Sequence, residues 1–316
     1  MFRLLLLIAL LLPGMALAQY PERPIRMVIP FTPGGTNDIV GRLVGDGMGA
    51  RLGQPIVIEN RGGAGGALGA EVVAKAAPDG YTILLGGSGS LTINHLVRRN
   101  IPYDPATAFV PIGLMGSGAN VIVVHPAVPA RNLRELQAAA RSGALSFASP
   151  GVGSTGHAAG ALICQVLGVT MEHVPYRGTG PALNDLIAGR VQVFANALAP
   201  LQPQIQARAV RAIAIAGPRR NAAMPDLPTT GEEGFPEIQA ATWYGLLATG
   251  GTPADRVARL HAALNATLAD ADTRRKLEEA GFDVEPSESP AAFARFYAED
   301  AARWAPVVRR AGVVVE

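Results

Sequence analysis

The chain alternates between short apolar runs and longer stretches in which apolar residues recur at helical spacing. The apolar runs predict strands at Ile25–Phe31, Pro55–Glu59, Thr82–Leu85, Val121–Val124, Leu145–Ala148, Met171–Val174, Val191–Phe194 and Val210–Ala216. The amphipathic stretches predict helices at Asp38–Arg51, Ala67–Ala76, Leu133–Ala140, His157–Leu167 and Pro181–Ile187. This alternation predicts an α/β fold with parallel sheets and helices on both faces. Ligands of such folds bind beyond the carboxyl ends of the strands.

After Pro218 the pattern changes. A proline-rich connector leads to an aromatic strand at Gln239–Ala248, and charged amphipathic helices are predicted at Pro253–Ala280 and Pro290–Arg310. The aromatic residues of these helices recur at helical spacing, which favours core packing over ligand contact.

Two segments share the order strand, glycine-rich turn, helix. The first, IRMVIPFTPGGTNDIVGRLV, begins at Ile25, and the second, ALSFASPGVGSTGHAAGALI, begins at Ala144. Each presents unpaired N–H groups and the positive end of a helix dipole beyond a strand. Two such helix starts on two lobes are suited to holding one small anion between them.

Residues Met1–Ala18 have the form of a cleavable signal peptide, with Arg3, a short apolar run and the small-residue site Ala16-Leu17-Ala18. The run is shorter than the roughly 20 residues that span a bilayer. We therefore predict an exported protein that begins at Gln19. The single cysteine, Cys164, excludes an intramolecular disulfide and occupies an apolar helical position, which favours an inert thiol.

The charge of the chain is unevenly distributed. Residues 117–217 contain seven arginines against Glu135, Glu172 and Asp185, a net charge of +4, although the whole chain carries only +2. A mildly basic lobe suits an anionic ligand. The positive residues are too dispersed, and too poor in aromatic neighbours, for a nucleic-acid surface.

Signatures of catalysis and of metal or cofactor binding are largely missing from the sequence. There is no GxxxxGK[ST] loop and no GxSxG elbow, and the five histidines lack metal-ligand spacing. Gly151–Gly156 fits GxGxxG after a strand, but a dinucleotide site also needs an acidic residue at the end of the next strand, and Glu172 starts that strand. We predict no metal, no cofactor and no catalytic residue, and favour anion binding by the same backbone.

Ten short motifs carry a family resemblance. They are Pro24-Ile25, Pro30–Gly35 with Asp38, Gly53–Pro55, Glu59–Gly66, Pro78–Thr82, Tyr103–Pro105, Gly151–His157, Val174–Gly178, Leu227–Thr230 and Thr242–Leu246. In this order they resemble the receptors of tripartite tricarboxylate transporters, also called Bug proteins, over essentially the whole mature chain.

The resemblance implies a two-lobe periplasmic-binding-protein-like fold of type II, with mixed, mostly parallel sheets, flanking helices and two crossings between the lobes. We predict lobe 1 to comprise residues 19–116 and 218–316 and lobe 2 to be the basic segment 117–217, with hinges near Gly116–Gly118 and Gly217–Pro218, where that segment begins and ends. The resemblance also implies a monomeric periplasmic receptor that closes on a small carboxylate and delivers it to a membrane permease. A ligand-presenting sensor and a periplasmic enzyme on the same fold remain alternatives.

Carried over by position, the resemblance implies ligand contacts at Phe31, Gly34, Gly35, Thr36 and Asp38 on one lobe. On the other lobe it implies contacts at Ser154, Thr155, Gly156 and His157. Further candidates follow strand ends, namely Ser88, Ser90, Tyr176, Arg177 and Asn196. Some of these residues have an alternative structural role. Asp38 could cap its helix, His157 could orient its neighbours, and Ser88 and Ser90 could form a tight turn. The solute could be a dicarboxylate, a tricarboxylate, an amino acid or an aromatic acid.

Overall fold

The structure, a computed structural model, describes residues 20–98 and 100–310, so the predicted signal peptide lies outside the described residues. The strands are β1 (Ile25–Ile29), β2 (Ile56–Asn60), β3 (Thr82–Gly87), β4 (Phe109–Val124), β5 (Ser146–Ser149), β6 (Glu172–Pro175), β7 (Val193–Ala197), β8 (Arg211–Ala216), β9 (Ala241–Thr249) and β10 (Asp283–Val284). The helices are α1 (Thr36–Leu52), α2 (Ala67–Ala74), α3 (Asn94–Val97), α4 (Leu133–Ser142), α5 (Thr155–Leu167), α6 (Thr179–Ile187), α7 (Gln202–Gln206), α8 (Ala254–Ala269), α9 (Ala271–Glu279) and α10 (Pro290–Arg310). A π-helical turn at Ser88–Ile93 precedes α3.

One long strand joins two sheets. The strand order is β2-β1-β3-β9-β4-β7-β5-β6, and β8 and β10 also pair with β4. Residues 109–119 of β4 pair with β9, whereas residues 120–124 pair with β7 and β8. We call the β1–β3, β9 and β10 side lobe 1 and the β5–β8 side lobe 2. Parallel pairs join β1 to β2 and β3, and β5 to β6 and β7. Antiparallel pairs join β3 to β9, and β4 to β7, β8, β9 and β10. The sheets are therefore mixed, as predicted, but antiparallel pairing is at least as extensive as parallel pairing.

The centre of β4 was not predicted as a strand, because it is rich in glycine and serine. Gly116 has φ +144° beside a shift in register, and a Cβ built on it would lie 2.0 Å from Asp283 O. The close approach of β10 therefore requires glycine at this position.

The two crossings between the lobes lie side by side. The N–H of Asn120 in β4 donates to Ala240 O, and the N–H of Ala240 donates to Ala216 O, both at 2.9 Å. The narrow connection matches the predicted pair of crossings. The lobe boundaries at 117 and 217 stay a prediction.

The apolar core residues of each lobe cluster together, although Ile93 and Val97, which follow β3, pack with the lobe 2 cluster. In lobe 1 the inward residues of β1 pack against Val40, Val44 and Met48 of α1, and in lobe 2 Phe147 packs with α5. Helix α10 contributes to both lobes, since Phe293 is buried with lobe 1 residues whereas Trp304 belongs to the lobe 2 core.

Most predicted elements are present, with ends shifted by a few residues, but two predictions are wrong. The single helix predicted at Pro253–Ala280 is two helices, because Asp270 ends α8 and caps α9 by accepting from Thr273 N. The tight turn considered for Ser88 and Ser90 is instead the π-helical turn. No helix of the described ranges combines the length and apolarity needed to cross a bilayer.

Candidate functional site

Four helical segments begin around one cavity between the lobes. They are α1 and the turn Ser88–Ile93 from lobe 1, and α5 and α6 from lobe 2. The cavity is small and partly open to solvent, and its walls are formed by Phe31, Gly35, Thr36, Asn37, Gly87, Gly89, Ser90, Pro150, Ser154, Thr155, Gly156, Thr179, Asn196, Thr242 and Tyr244. The first N–H groups of a helix have no acceptor within that helix. The four helical segments that begin here therefore direct backbone N–H donors towards the cavity.

The start of α1 is shaped by Asp38. Its Oδ2 accepts from Gly34 N at 3.0 Å, while Oδ1 accepts from Arg42 at 2.9 Å and Asn60 at 3.1 Å. Burial acts to raise the pKa of Asp38, but the hydrogen bonds from Arg42, Gly34 and Asn60 outweigh it, so the pKa lies below its usual value. The carboxylate therefore holds the turn and is not directed at the cavity.

The start of α5 is held by Ser154. Its Oγ accepts from His157 N at 3.2 Å and donates to Gly151 O at 2.6 Å. The hydroxyl is thus fully used as a helix cap. What α5 offers to a ligand is the N–H groups of Thr155 and Gly156 and the Thr155 hydroxyl.

Behind this turn two histidines stack, with ring centroids 4.0 Å apart. His157 Nδ1 accepts from Gly153 N at 3.3 Å, and His173 Nε2 lies 2.7 Å from Ser149 Oγ, which also accepts from Gly151 N. Burial lowers the pKa of His157 to about 3, with a further contribution from His173, and burial lowers that of His173 to about 4. Both rings are therefore neutral near pH 7 and orient the turn.

The lobes touch on both sides of the cavity. A Cβ built on Gly178 would lie 2.0 Å from Thr32 Oγ1, and one built on Gly65 would lie 2.2 Å from Val152 O. At the cavity itself a Cβ on Gly89 would lie 3.0 Å from Thr155 N. Glycines of both lobes thus allow the backbones to meet in a closed arrangement.

Hydroxyl groups form much of the remaining wall. Thr36 Oγ1 is buried and has no hydrogen-bond partner among the described residues, and the Tyr244 phenol lies beside Thr36 and Thr242. Burial raises the pKa of Tyr244, so the phenol keeps its proton and can donate. None of the fifteen lining residues has an ionisable acidic or basic group apart from this phenol. Such a wall can bind an anion through dipoles and donors.

Eight of the predicted residues line this cavity, namely Phe31, Gly35, Thr36, Ser90, Ser154, Thr155, Gly156 and Asn196. The other six do not. Gly34 and Asp38 bond each other, Ser88 Oγ accepts from Trp243 N, and His157 packs on His173. The Tyr176 hydroxyl donates to Asp185, and Arg177 is exposed.

Seven lining residues were not predicted to contact a ligand: Asn37, Gly87, Gly89, Pro150, Thr179, Thr242 and Tyr244. The sequence motifs point to three of these residues. Thr242 and Tyr244 lie in a family motif, and Thr179 follows the motif Val174–Gly178 as the first residue of α6.

Among residues 20–98 and 100–310, no three His, Cys, Asp or Glu side chains come together as metal ligands. Two glycines of the GxGxxG segment face lobe 1, since a Cβ on Gly153 would lie 3.0 Å from Asn94 Oδ1 and one on Gly151 would lie 3.6 Å from Gly65 N. The third faces lobe 2, since a Cβ on Gly156 would lie 2.8 Å from Ala195 O.

The family profile described as "Tripartite tricarboxylate transporter family receptor" matches residues 40–313. The chain belongs to this receptor family. The resemblance found in the sequence is therefore confirmed. The fold is also confirmed, because the receptor aligns with the periplasmic binding protein BugD over 94% of this chain and 100% of that one, with a TM-score of 0.89 and 36% identity.

Two further solved relatives come from Rhodopseudomonas palustris. Rpa4515, determined with adipate, is 34% identical and covers 93% of this receptor and 99% of its own chain, with a TM-score of 0.90. MatC, determined with bound malate, is 35% identical and covers 92% of this receptor and 100% of its own chain, with a TM-score of 0.87.

Proposed function

We propose that this receptor binds a small dicarboxylate between its lobes in the periplasm and delivers it to the membrane subunits of a tripartite transporter. The observation that carries the proposal is the cavity wall, in which helix starts from both lobes meet and no lining side chain is acidic. A carboxylate would accept from such donors, each worth about 1.5–3 kcal/mol when the bond is to a charged group.

The wall also bears on the class of ligand. An ammonium group in this cavity would have no acidic side chain to pair with, and burying an unpaired charge is costly. Malate and adipate, the ligands of two relatives, are both dicarboxylates without an amine.

Isothermal calorimetry on refolded, ligand-free protein tests the proposal with matched acids. Malate and aspartate differ by a hydroxyl in place of an ammonium, and adipate and 2-aminoadipate differ by an added ammonium. We expect micromolar affinity for at least one dicarboxylate, about −8 kcal/mol, and at least tenfold weaker binding of its amino counterpart. Equal affinity for both members of a pair would contradict the ligand class.

Delivery and location need separate tests. We expect the receptor from a periplasmic extract to begin at Gln19 and to sediment as a monomer. Uptake of the labelled acid should be lost when either the receptor or the permease is deleted, and the receptor should leave the acid chemically unchanged. Conversion of the acid to a product would instead favour an enzyme.

A further inference from the structure

A buried carboxylate lies behind the lobe 1 wall of the cavity. The Asp300 side chain, on α10, is only 3% exposed. Its Oδ2 accepts from two donors, Thr92 Oγ1 at 2.6 Å and Trp243 Nε1 at 2.5 Å, while Oδ1 accepts from the exposed Arg303 at 3.1 Å. One oxygen atom therefore joins two segments that are far apart in the sequence.

Both donors belong to segments that line the cavity. Thr92 lies in the turn Ser88–Ile93, whose residues Gly89 and Ser90 reach the cavity, and Trp243 lies between the lining residues Thr242 and Tyr244. The Asp300 carboxylate itself does not reach the lining. It contacts the wall on the side away from the cavity, through the side chains of Thr92 and Trp243.

The same two segments also meet directly. Trp243 N donates to Ser88 Oγ at 3.1 Å, and a Cβ built on Gly87 would lie 2.6 Å from Trp243 O. Ser88 thus fixes one end of the turn against β9, and the Thr92–Asp300–Trp243 bridge fixes the other end. Without this bridge the far end of the turn would lose its polar attachment to β9, and would be held by the apolar packing of Leu91 and Ile93 and by Asn94, whose side chain donates to Ala64 O at 2.6 Å.

Helix α10 gives the carboxylate a fixed support. Phe293 packs edge-on against Trp243, with ring centroids 5.5 Å apart, and Trp304, one turn beyond Asp300, is buried in the lobe 2 core. Burial raises the pKa of Asp300, against the hydrogen bonds from Thr92 and Trp243 and the effect of Arg303. Burying a carboxylate costs free energy, so the main effect of Asp300 is on the relative positions of the three elements it joins.

We propose that Asp300 is a positioning residue for the cleft, holding the turn Ser88–Ile93 and the segment Thr242–Tyr244 at the spacing that forms the lobe 1 wall. The effect on affinity rests on the proposed carboxylate-binding function, whereas the effect on the wall does not.

Hydrogen exchange tests the wall without any ligand. Asp300→Ala should speed exchange of the amides of residues 88–93 and 242–244 at least tenfold. In Asp300→Asn most of this increase in exchange rate should be absent, because the amide oxygen can accept from both Thr92 and Trp243. Thr92→Val, which removes only the hydroxyl, should also speed exchange of these amides. It replaces Asp300→Ala in the test if that variant fails to fold.

Two controls separate positioning from general destabilisation. Leu186→Ala truncates a buried residue near the end of α6, in an apolar cluster that contains no residue of 88–93 or 242–244, and should lower the melting temperature while leaving exchange of these residues unchanged. Arg303→Ala, on α10, removes the donor to the other oxygen of Asp300 and should leave this exchange unchanged as well. If Asp300→Ala and Thr92→Val match Leu186→Ala in their exchange pattern, the proposal is wrong.

Calorimetry with malate and adipate tests the consequence for binding. Asp300→Ala and Thr92→Val should weaken the better of the two acids at least tenfold, and Asp300→Asn should recover most of the loss. Faster exchange at the wall with unchanged affinity would overturn the positioning role in binding. If neither acid binds the unaltered protein, the proposed ligand class fails, and the exchange data still decide whether Asp300 holds the wall.

Discussion

Gly35 faces Thr179 across the cavity, and a Cβ built on Gly35 would lie 3.3 Å from Thr179 Oγ1. Gly35 precedes α1 in lobe 1, and Thr179 begins α6 in lobe 2. The contact therefore joins two helix starts on different lobes. The φ of Gly35, −87°, is accessible to any residue, so it is the tight space towards Thr179, and not the backbone conformation, that favours glycine.

We expect Gly35→Val to weaken carboxylate binding by well over tenfold, which corresponds to about 1.4 kcal/mol. The branched side chain would meet Thr179 and occupy the space beside the first N–H groups of α1. Gly143→Val is the matched control, since Gly143 is exposed, has an extended backbone and has open space around its Cβ position. Calorimetry on the two folded variants decides the question, and full affinity in Gly35→Val would place the ligand elsewhere.

A second prediction concerns the cap of α5. Ser154→Ala removes the acceptor of His157 N and should lower the free energy of unfolding by about 0.5–2 kcal/mol. Because Ser154 also holds Gly151 O, we expect the anion-binding turn to loosen and affinity to fall. Asn132→Ala removes the equivalent cap of α4, where the side chain accepts from Glu135 N, away from the cavity. Asn132→Ala should lower the free energy of unfolding by a similar amount and leave the affinity unchanged. If Ser154→Ala and Asn132→Ala affect binding equally, a local role for Ser154 is contradicted.

How far the sequence predicted this site depends on how local each residue's environment is. Gly35, Thr155 and Gly156 could be predicted because a strand, a glycine turn and a helix start follow one another within a few residues. The partners of Asp38 and Ser88 could not, since Asn60 and the Trp243 N–H reach them from other strands. Tyr244 and Thr242 reach the cavity only because β9 pairs with β3, a pairing that no local pattern encodes.

A third prediction is that acid destabilises the receptor through its stacked histidines. In the unfolded chain their pKa is near 6.5, whereas in the fold it is lowered to about 3 for His157 and about 4 for His173. Below pH 6.5 the unfolded state binds protons that the folded state does not, so stability falls between pH 6.5 and 4. His157→Asn keeps an acceptor for Gly153 N but removes one such proton. We expect it to lose less stability than the unaltered protein between pH 6.5 and 4.5, by on the order of 1–2 kcal/mol.

Urea unfolding at the two pH values measures this difference. His125→Asn changes a histidine outside the stack and should follow the unaltered protein. A pH dependence that is the same in His157→Asn and in the unaltered protein would show that the stack does not carry the effect.

Arg177 gives a fourth prediction. Its position after a strand end suggested a ligand contact, but the side chain is exposed and outside the cavity lining. Because an exposed charge contributes at most about 1 kcal/mol, we expect Arg177→Ala to change affinity by less than about fivefold, and less at high salt. A loss of tenfold or more in calorimetry at 0.15 M salt would instead indicate that Arg177 turns into the cleft when the ligand binds.

The last prediction is that ligand binding closes the lobes. The closed arrangement brings donors of α1 and of α5 to one cavity, and the lobes are joined by the paired crossing at Asn120, Ala216 and Ala240 and by α10, which packs on both. A ligand that contacts both lobes only when they are closed must shift the population towards that state. Small-angle scattering should therefore show a smaller radius of gyration with saturating dicarboxylate than without it. Gly35→Val should remain expanded at the same ligand concentration, because its side chain would meet Thr179 on closing. An unchanged radius in the unaltered protein, with ligand binding verified on the same sample, would indicate a rigid preformed pocket.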